Sequence, residues 1–216
     1  MHIFELKKQI DLNVFTMDIV KPILEKKYKQ PAIKINSFVK KGELIQLKRG
    51  VYAFSSDYRT HPLNLIATAN LLLQPSYVSF EYALSYHGLI PERVYTITSA
   101  TSYRTEEYIT EIGNFSYKKI SVKAYPLGLE WKFDPHDGGY MIATPEKALC
   151  DMMHNDMRIK NIKKNEIMDY LENDLRIEWD ELKNLDTSLM WKISMAYSSK
   201  LLRTITSTLA KRKKDG

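Results

Sequence analysis

Apolar positions recur at helical spacing in three stretches of the first 42 residues, and the pattern then changes to that of strands. "HIFELKKQIDL" (2–12) sets Ile3, Leu6 and Ile10 on one face and predicts a first helix. "FTMDIVKPILEKKY" (15–28) predicts a second, with Thr16 as N-cap, Asp18 at the positive end of the dipole and Met17, Ile19, Val20, Ile23 and Leu24 on the apolar face. Pro22 sits just past its first turn, where a missing backbone donor can kink the helix. "QPAIKINSFVKKG" (30–42) predicts a third helix, opened by Pro31 and closed by Gly42, with Ala32, Ile35, Phe38 and Val39 buried. "ELIQLKRGVYAF" (43–54) then predicts a β-hairpin: Leu44, Ile45 and Leu47 in one arm, Val51, Tyr52 and Phe54 in the other. Gly50 supplies the positive φ of a tight turn, and Lys48 and Arg49 stand at its tip.

A polar segment, "SSDYRTHP" (55–62), predicts a linker. Beyond it the pattern predicts a largely buried helix at 62–75 and a helix at 79–91 capped by Ser79 and ended by Gly88. Strands are expected at 93–101, 114–126 and 138–144. A helix follows at 144–154, with Thr144 as cap and Pro145 at its first position. Residues 163–182 read as one or two polar helices. Residues 187–214 read as one long amphipathic helix whose stripe runs through Leu189, Ile193, Tyr197, Leu201, Ile205 and Leu209, with "KRKK" (211–214) as a frayed, solvated end. The expected fold class is therefore α+β.

Charge sharpens this picture. The net charge is +6, but residues 1–60 hold twelve Lys/Arg against six Asp/Glu, residues 61–200 fifteen against nineteen, and residues 201–216 five against one. Positive charge at the ends with a mildly acidic middle suggests a nucleic-acid-binding end joined to a different second part. The one cysteine, Cys150, rules out an intramolecular disulfide. With no signal-peptide pattern and no apolar run long enough to span a bilayer, a cytoplasmic protein without a membrane partner is expected.

Three short helices and a hairpin within 60 residues are the layout of a winged helix-turn-helix, which defines an expected DNA-binding domain at 1–58 and a mixed α/β domain at 59–216. The third helix would enter the major groove and the hairpin would be the wing. Lys34, Asn36, Ser37, Lys40 and Lys41 would face the groove and its phosphates, with Asn36 the residue suited to pair bidentately with adenine. Lys48 and Arg49 would reach the backbone or the minor groove through the wing.

Four segments carry a family resemblance: "LIQLKRGVYAF", "PSYVSFEYALSYHGLIPE" (75–92), "TSAT" (98–101) and "ATPEKALCD" (143–151). In their order and spacing, over about residues 10 to 155, the chain resembles the AbiEi antitoxins of type IV, abortive-infection toxin–antitoxin systems. The resemblance implies a winged helix that represses its own operon by binding inverted repeats in the promoter. It also implies a C-terminal portion that opposes a nucleotidyltransferase-type toxin, a phage-resistance function, without a tight complex. Tyr82, His87, Glu146 and Lys147, which lie in these segments, are the candidates for antitoxin function. The alternative from the residues alone is a winged-helix regulator with a ligand- or partner-sensing second domain and no antitoxin role.

An enzyme is not expected, and neither is a cofactor. The chain has no GxxxxGK[ST], no GxGxxG, no Gly-Ser pair of the nucleotidyltransferase kind, and five scattered histidines without metal-ligand spacing. Glu81, Glu146, Asp151 and His87 are explained by helix ends and by an i,i+4 pair with Lys147. Cys150 reads as a packed thiol. The run Tyr77, Phe80, Tyr82, Tyr86 could stack RNA bases, but at helical spacing it reads first as core.

Overall fold

The computed structural model describes residues 1–215 as an α+β protein with two sheets. The head (residues 1–58) runs α1 (Ile3–Lys7), β1 (Val14–Thr16), α2 (Met17–Glu25), α3 (Pro31–Lys40), β2 (Leu44–Lys48) and β3 (Val51–Phe54). Its antiparallel sheet has the order β1-β3-β2. The expected first helix is cut short. It ends at Lys7, and Asn13 is drawn away by tertiary hydrogen bonds: its N–H donates to His136 O at 2.9 Å and its carbonyl accepts from Phe54 N at 3.0 Å. The second helix likewise starts at Met17, since Phe15 and Thr16 belong to β1. Pro22 lies inside α2 without ending it. In α3 the buried stripe is Ile35 and Phe38; Val39 is half-buried, and Ala32 is exposed rather than buried.

The body continues with α4 (Leu65–Leu72), β4 (Ser76–Val78), α5 (Phe80–Tyr86), β5 (Ile97–Thr101), β6 (Glu106–Thr110), β7 (Gly113–Lys119), β8 (Leu129–Asp134), β9 (Gly138–Ala143) and α6 (Pro145–Asn155). Then come α7 (Ile167–Asp169), which widens into a π turn at Tyr170–Asp174, α8 (Trp179–Leu182), α9 (Thr187–Ala196) and α10 (Lys200–Asp215). The six strands are ordered β6-β7-β5-β4-β9-β8, with β4/β9 and β5/β7 parallel and the other neighbours antiparallel. The short β4 meets β9 at a single register pair. Asn70 of α4 takes up the slack: its side-chain amide donates to Met141 O (3.2 Å) and accepts from Met141 N (2.6 Å), so a side chain stands in for ladder backbone.

Four further expectations are corrected. The strand expected at 114–126 stops at Lys119, and a turn takes over at Ser121–Ala124. Ser79 does not cap α5 with its hydroxyl, which donates to Asp151; Thr98 Oγ1 accepts from Tyr82 N instead. The single long helix at 187–214 is two helices, broken where Ser198 adopts φ +53° and Ser199 Oγ accepts from Leu202 N to start α10. The end of α10 is not free: Arg212 pairs with Glu172 at 3.0 Å and packs on Trp179, and Lys213 Nζ donates to Leu185 O.

Two apolar clusters hold the molecule. One fills the head with Leu6, Phe15, Leu24, Ile35, Phe38 and Phe54. The other fills the body and also takes in Val14, Leu47, Val51 and Ala53 from the head's sheet. Thus β3 is buried on both faces, one toward α2 and α3 and one toward the body. That is why "VYAF" reads as a continuous apolar run rather than an alternating one. Among the described residues no helix is long and apolar enough to cross a membrane.

Candidate nucleic-acid interface

Asn36, Ser37, Lys40 and Lys41 come together on the solvent side of α3, where they line a groove with Ile33 and with Gln46 of β2. Asn36, Lys40 and Lys41 are exposed, and Lys40 and Lys41 have no ion-pair partner among the described residues. The groove thus offers an unengaged amide, two free ammonium groups and a second amide from the neighbouring strand. Arg or Lys suits phosphates and guanine, and Asn or Gln suits adenine, in a groove wide enough for a helix. Ile33, 62% exposed at the start of the same face, is of the kind that meets a thymine methyl. Sequence reasoning missed Gln46 and Ile33. The break in the apolar run of "LIQLK" at Gln46 was the available signal for the first, and nothing marked the second.

Lys34 is on the same helix but not in this set. Its Nζ lies 4.2 Å from the Phe38 ring centroid and 5.6 Å from that of Tyr28, so its stem is half-buried along the head's own aromatic surface.

The hairpin tip is short and held. Thr16 pairs with Val51, and Met17 N donates to Gly50 O at 2.8 Å, so only Arg49 and Gly50 extend past the paired strands. Gly50 has φ +82°, as the turn requires. Arg49 is exposed. Lys48 is not a free cation: its Nζ sits 5.5 Å from the Tyr108 ring of β6 and is partly buried. Burial lowers its pKa, against the attraction of Glu106 and with the added repulsion of Arg104. The head is tied to the body a second time at the β8–β9 turn, where His136 O accepts from Asn13 N at 2.9 Å; the same turn is braced within the body by Asp137 Oδ2, which accepts from Asn64 N at 2.6 Å.

The four residues drawn from the family-like segments do not form one site. Lys147 is fully buried, as is Asp151 one turn on. The ammonium sits 2.7 Å from Asp151 Oδ1 and donates to Ala124 O at 2.9 Å. Asp151 also accepts from the hydroxyls of Tyr77 (2.8 Å), Ser79 (2.8 Å) and Tyr197 (2.6 Å). The phenols of Tyr77 and Tyr197 are pushed far above their ordinary pKa by burial and by the adjacent carboxylate, so they serve as donors. This network joins β4, α6 and the end of α9, and no part of it faces solvent. Its chemistry is that of a satisfied internal ion pair.

Glu146 points elsewhere. It accepts from Asp186 N at 2.9 Å, and Asp186 in turn caps α9 by accepting from Ser188 and Leu189. The His87 ring pairs through Nε2 with Ala143 O at 2.8 Å, tying the end of α5 to the end of β9. Tyr82 is half-buried, and burial raises its pKa. Of the aromatic run considered for RNA stacking, Tyr77 and Phe80 are wholly buried and only Tyr86 is exposed. The exposed aromatic pair of the body is instead Trp131 and Phe133 on β8.

The Cys150 thiol is buried, and its pKa is driven up by that burial and by Asp151, which suits packing and opposes nucleophilic use. Among the described residues no group of three or more His, Cys, Asp or Glu side chains is placed to hold a metal ion. No protein-family model matches the chain, and no curated protein matches it.

Proposed function

We propose that the chain is a sequence-reading DNA-binding repressor whose head is a winged helix-turn-helix, and that it is the antitoxin of a type IV toxin–antitoxin pair. The observation that carries the DNA half is the groove of α3, with Asn36, Lys40, Lys41 and Gln46 unengaged and exposed together. The order helix–strand–helix–helix–strand–strand, with the first strand pairing the last, supports the winged-helix reading. In this reading α3 is the recognition helix, Arg49 is the wing's phosphate contact, and Lys48 joins the wing to the body. The antitoxin half rests on the resemblance to AbiEi proteins alone. A surface of the body, rather than its buried Lys147, would then act on the nucleotidyltransferase-type toxin or its RNA target.

A second reading is favoured by one feature, the burial of the hairpin sheet against the body core. A regulator whose second domain senses a ligand or partner would use such a contact to shift the head.

Fluorescence anisotropy against the DNA upstream of the chain's own gene tests the first half, with a scrambled duplex as control and at several salt concentrations. Preferential binding that weakens steeply with salt is expected. Equal, weak binding to both duplexes rejects sequence reading. Co-expression with a neighbouring nucleotidyltransferase gene tests the second half: growth rescue supports the antitoxin, and failure leaves the sensing regulator.

A further inference from the structure

We infer that two copies of this chain associate through β8, the edge strand of the large sheet, pairing antiparallel about a two-fold axis at Trp131. The inference does not depend on DNA binding.

The two edges of the six-stranded sheet differ. β6 begins with Glu106 and Glu107 and lies beside β2 of the head, with Lys48 reaching over Tyr108. β8 pairs with β9 on one side only, and among the described residues no other segment hydrogen-bonds its backbone. It carries the charges Glu130, Lys132 and Asp134, but no proline or bulge interrupts its six paired residues, and its one lysine is already engaged by Glu130 within the strand and by Tyr86. An open strand of this kind is a template for another strand.

The chemistry of β8 is self-complementary. A two-fold axis perpendicular to a sheet opposes residues of the same face, so only even registers are open. Two of these keep five residues paired. Centred on Lys132, the pairing opposes Lys132 to itself and Glu130 to Asp134, like charges in each case. Centred on Trp131, it opposes Leu129 to Phe133, Glu130 to Lys132 twice over, and Trp131 to its copy. Opposite charges and aromatic pairs across strands stabilise, and like charges destabilise. Glu130 and Lys132 already lie 3.3 Å apart on one face of a single strand, with the ammonium also donating to Tyr86 OH at 3.3 Å, so pairing would exchange a partly exposed intrastrand contact for two shared ones.

The aromatic face is set in advance. Trp131 and Phe133, 65% and 62% exposed, stack with centroids 6.1 Å apart. The indole lies flat on Gly139 of β9, close enough that a Cβ there would sit 2.9 Å from Nε1. The ring is therefore held in place before any partner arrives, which removes part of the ordering cost of association. Five paired residues and their aromatics make a small contact, so the association is of the weak class.

Sedimentation equilibrium on the full chain, from micromolar to millimolar concentration, reads the outcome. The expected weight-average mass rises from the 25.2 kDa monomer toward twice that value. Glu130→Lys alone and Lys132→Glu alone should each weaken association at least about tenfold, since either places like charges opposite one another. The double exchange should restore it to within about threefold, a recovery that a generic sticky surface would not give. Circular dichroism melts of the same variants confirm folding, and both positions are partly exposed at the sheet edge. A wild-type mass that stays monomeric throughout overturns the inference. So does association that the single reversals leave unchanged, or that the double exchange fails to recover.

Discussion

Lys147 Nζ lies 2.7 Å from Asp151 Oδ1, and neither side chain has any exposed surface. The carboxylate is the hub, because three hydroxyls and the ammonium all donate to it, whereas Lys147 donates only to Asp151 and Ala124 O and otherwise lies over the rings of Tyr197 (4.8 Å) and Tyr77 (5.8 Å). Lys147→Met leaves the carboxylate three donors. Asp151→Leu strands a buried cation and orphans three hydroxyls. Each variant should lose stability, on the order of 3–5 kcal/mol for a broken buried pair, with Asp151→Leu the worse of the two. Urea denaturation read by circular dichroism checks this, and a milder effect at Asp151 would contradict the hub. Any loss of function at Lys147 should track the loss of folded protein.

Gly128 stands directly against this network. Its φ is +67°, and a Cβ there would lie 2.8 Å from Lys147 Cβ and 3.3 Å from Thr144 Oγ1. The obstacle is the root of a buried side chain, which cannot swing aside. Gly128→Ala should therefore cost more than the roughly 1–3 kcal/mol of a left-handed non-glycine residue. Gly50, at φ +82° with nothing near its missing Cβ, bears only the backbone cost, so Gly50→Ala should be clearly milder. Paired thermal melts of the two variants decide the order.

Much of the head was legible in its sequence. α3 and the hairpin follow from Pro31, Gly42 and Gly50, whose backbone preferences act locally. The short edge and linking strands were not legible. β1 and β4 have three residues each, too few for a period to appear, and β8 presents "LEWKFD" with both faces part-exposed. The break at Ser198 was hidden because the apolar stripe continues across it. What stops the helix there is tertiary: Tyr197 must reach Asp151, 46 residues back. The candidate site was half legible for a similar reason. Lys40 and Lys41 keep the exposure their helix face predicts, and Lys34 lies over Phe38, its i,i+4 neighbour on the same helix, whereas Lys48 is captured by the ring of Tyr108, which only tertiary folding brings near.

His154 stacks on Tyr197, with centroids 4.1 Å apart, at the rim of the buried pair. Burial lowers its pKa, Asp151 opposes that shift, and Lys147 and Lys160 add to it. The folded state therefore takes up its proton less readily than the unfolded chain. Stability should be at its full value above the unfolded histidine pKa, near 6.5, and decline as pH falls below it. One such proton gives a slope of at most about 1.4 kcal/mol per pH unit. His154→Gln should flatten the dependence of the urea midpoint between roughly pH 7.5 and 5 relative to the parent chain. An unchanged slope would assign the acid sensitivity to another group.

Four cations of the head should separate into two kinds when DNA binding is measured. Lys40 and Lys41 are exposed and unpaired beside Asn36, so replacing both with alanine should weaken binding to every duplex alike and lower the salt slope by about two. Arg49→Ala, at the exposed turn, should lower the slope by about one. Lys48→Ala should barely change it, because that ammonium is engaged with Tyr108 of the body. Its effect should instead be on stability and on the contact between head and body, visible as a lower melting temperature. Asn36→Ala should act differently again: little change in slope, and a loss of about 1–3 kcal/mol in discrimination at one base pair. If Lys48→Ala lowers the slope as much as Arg49→Ala does, the hairpin tip moves off the body on DNA, and the held turn is not the bound form.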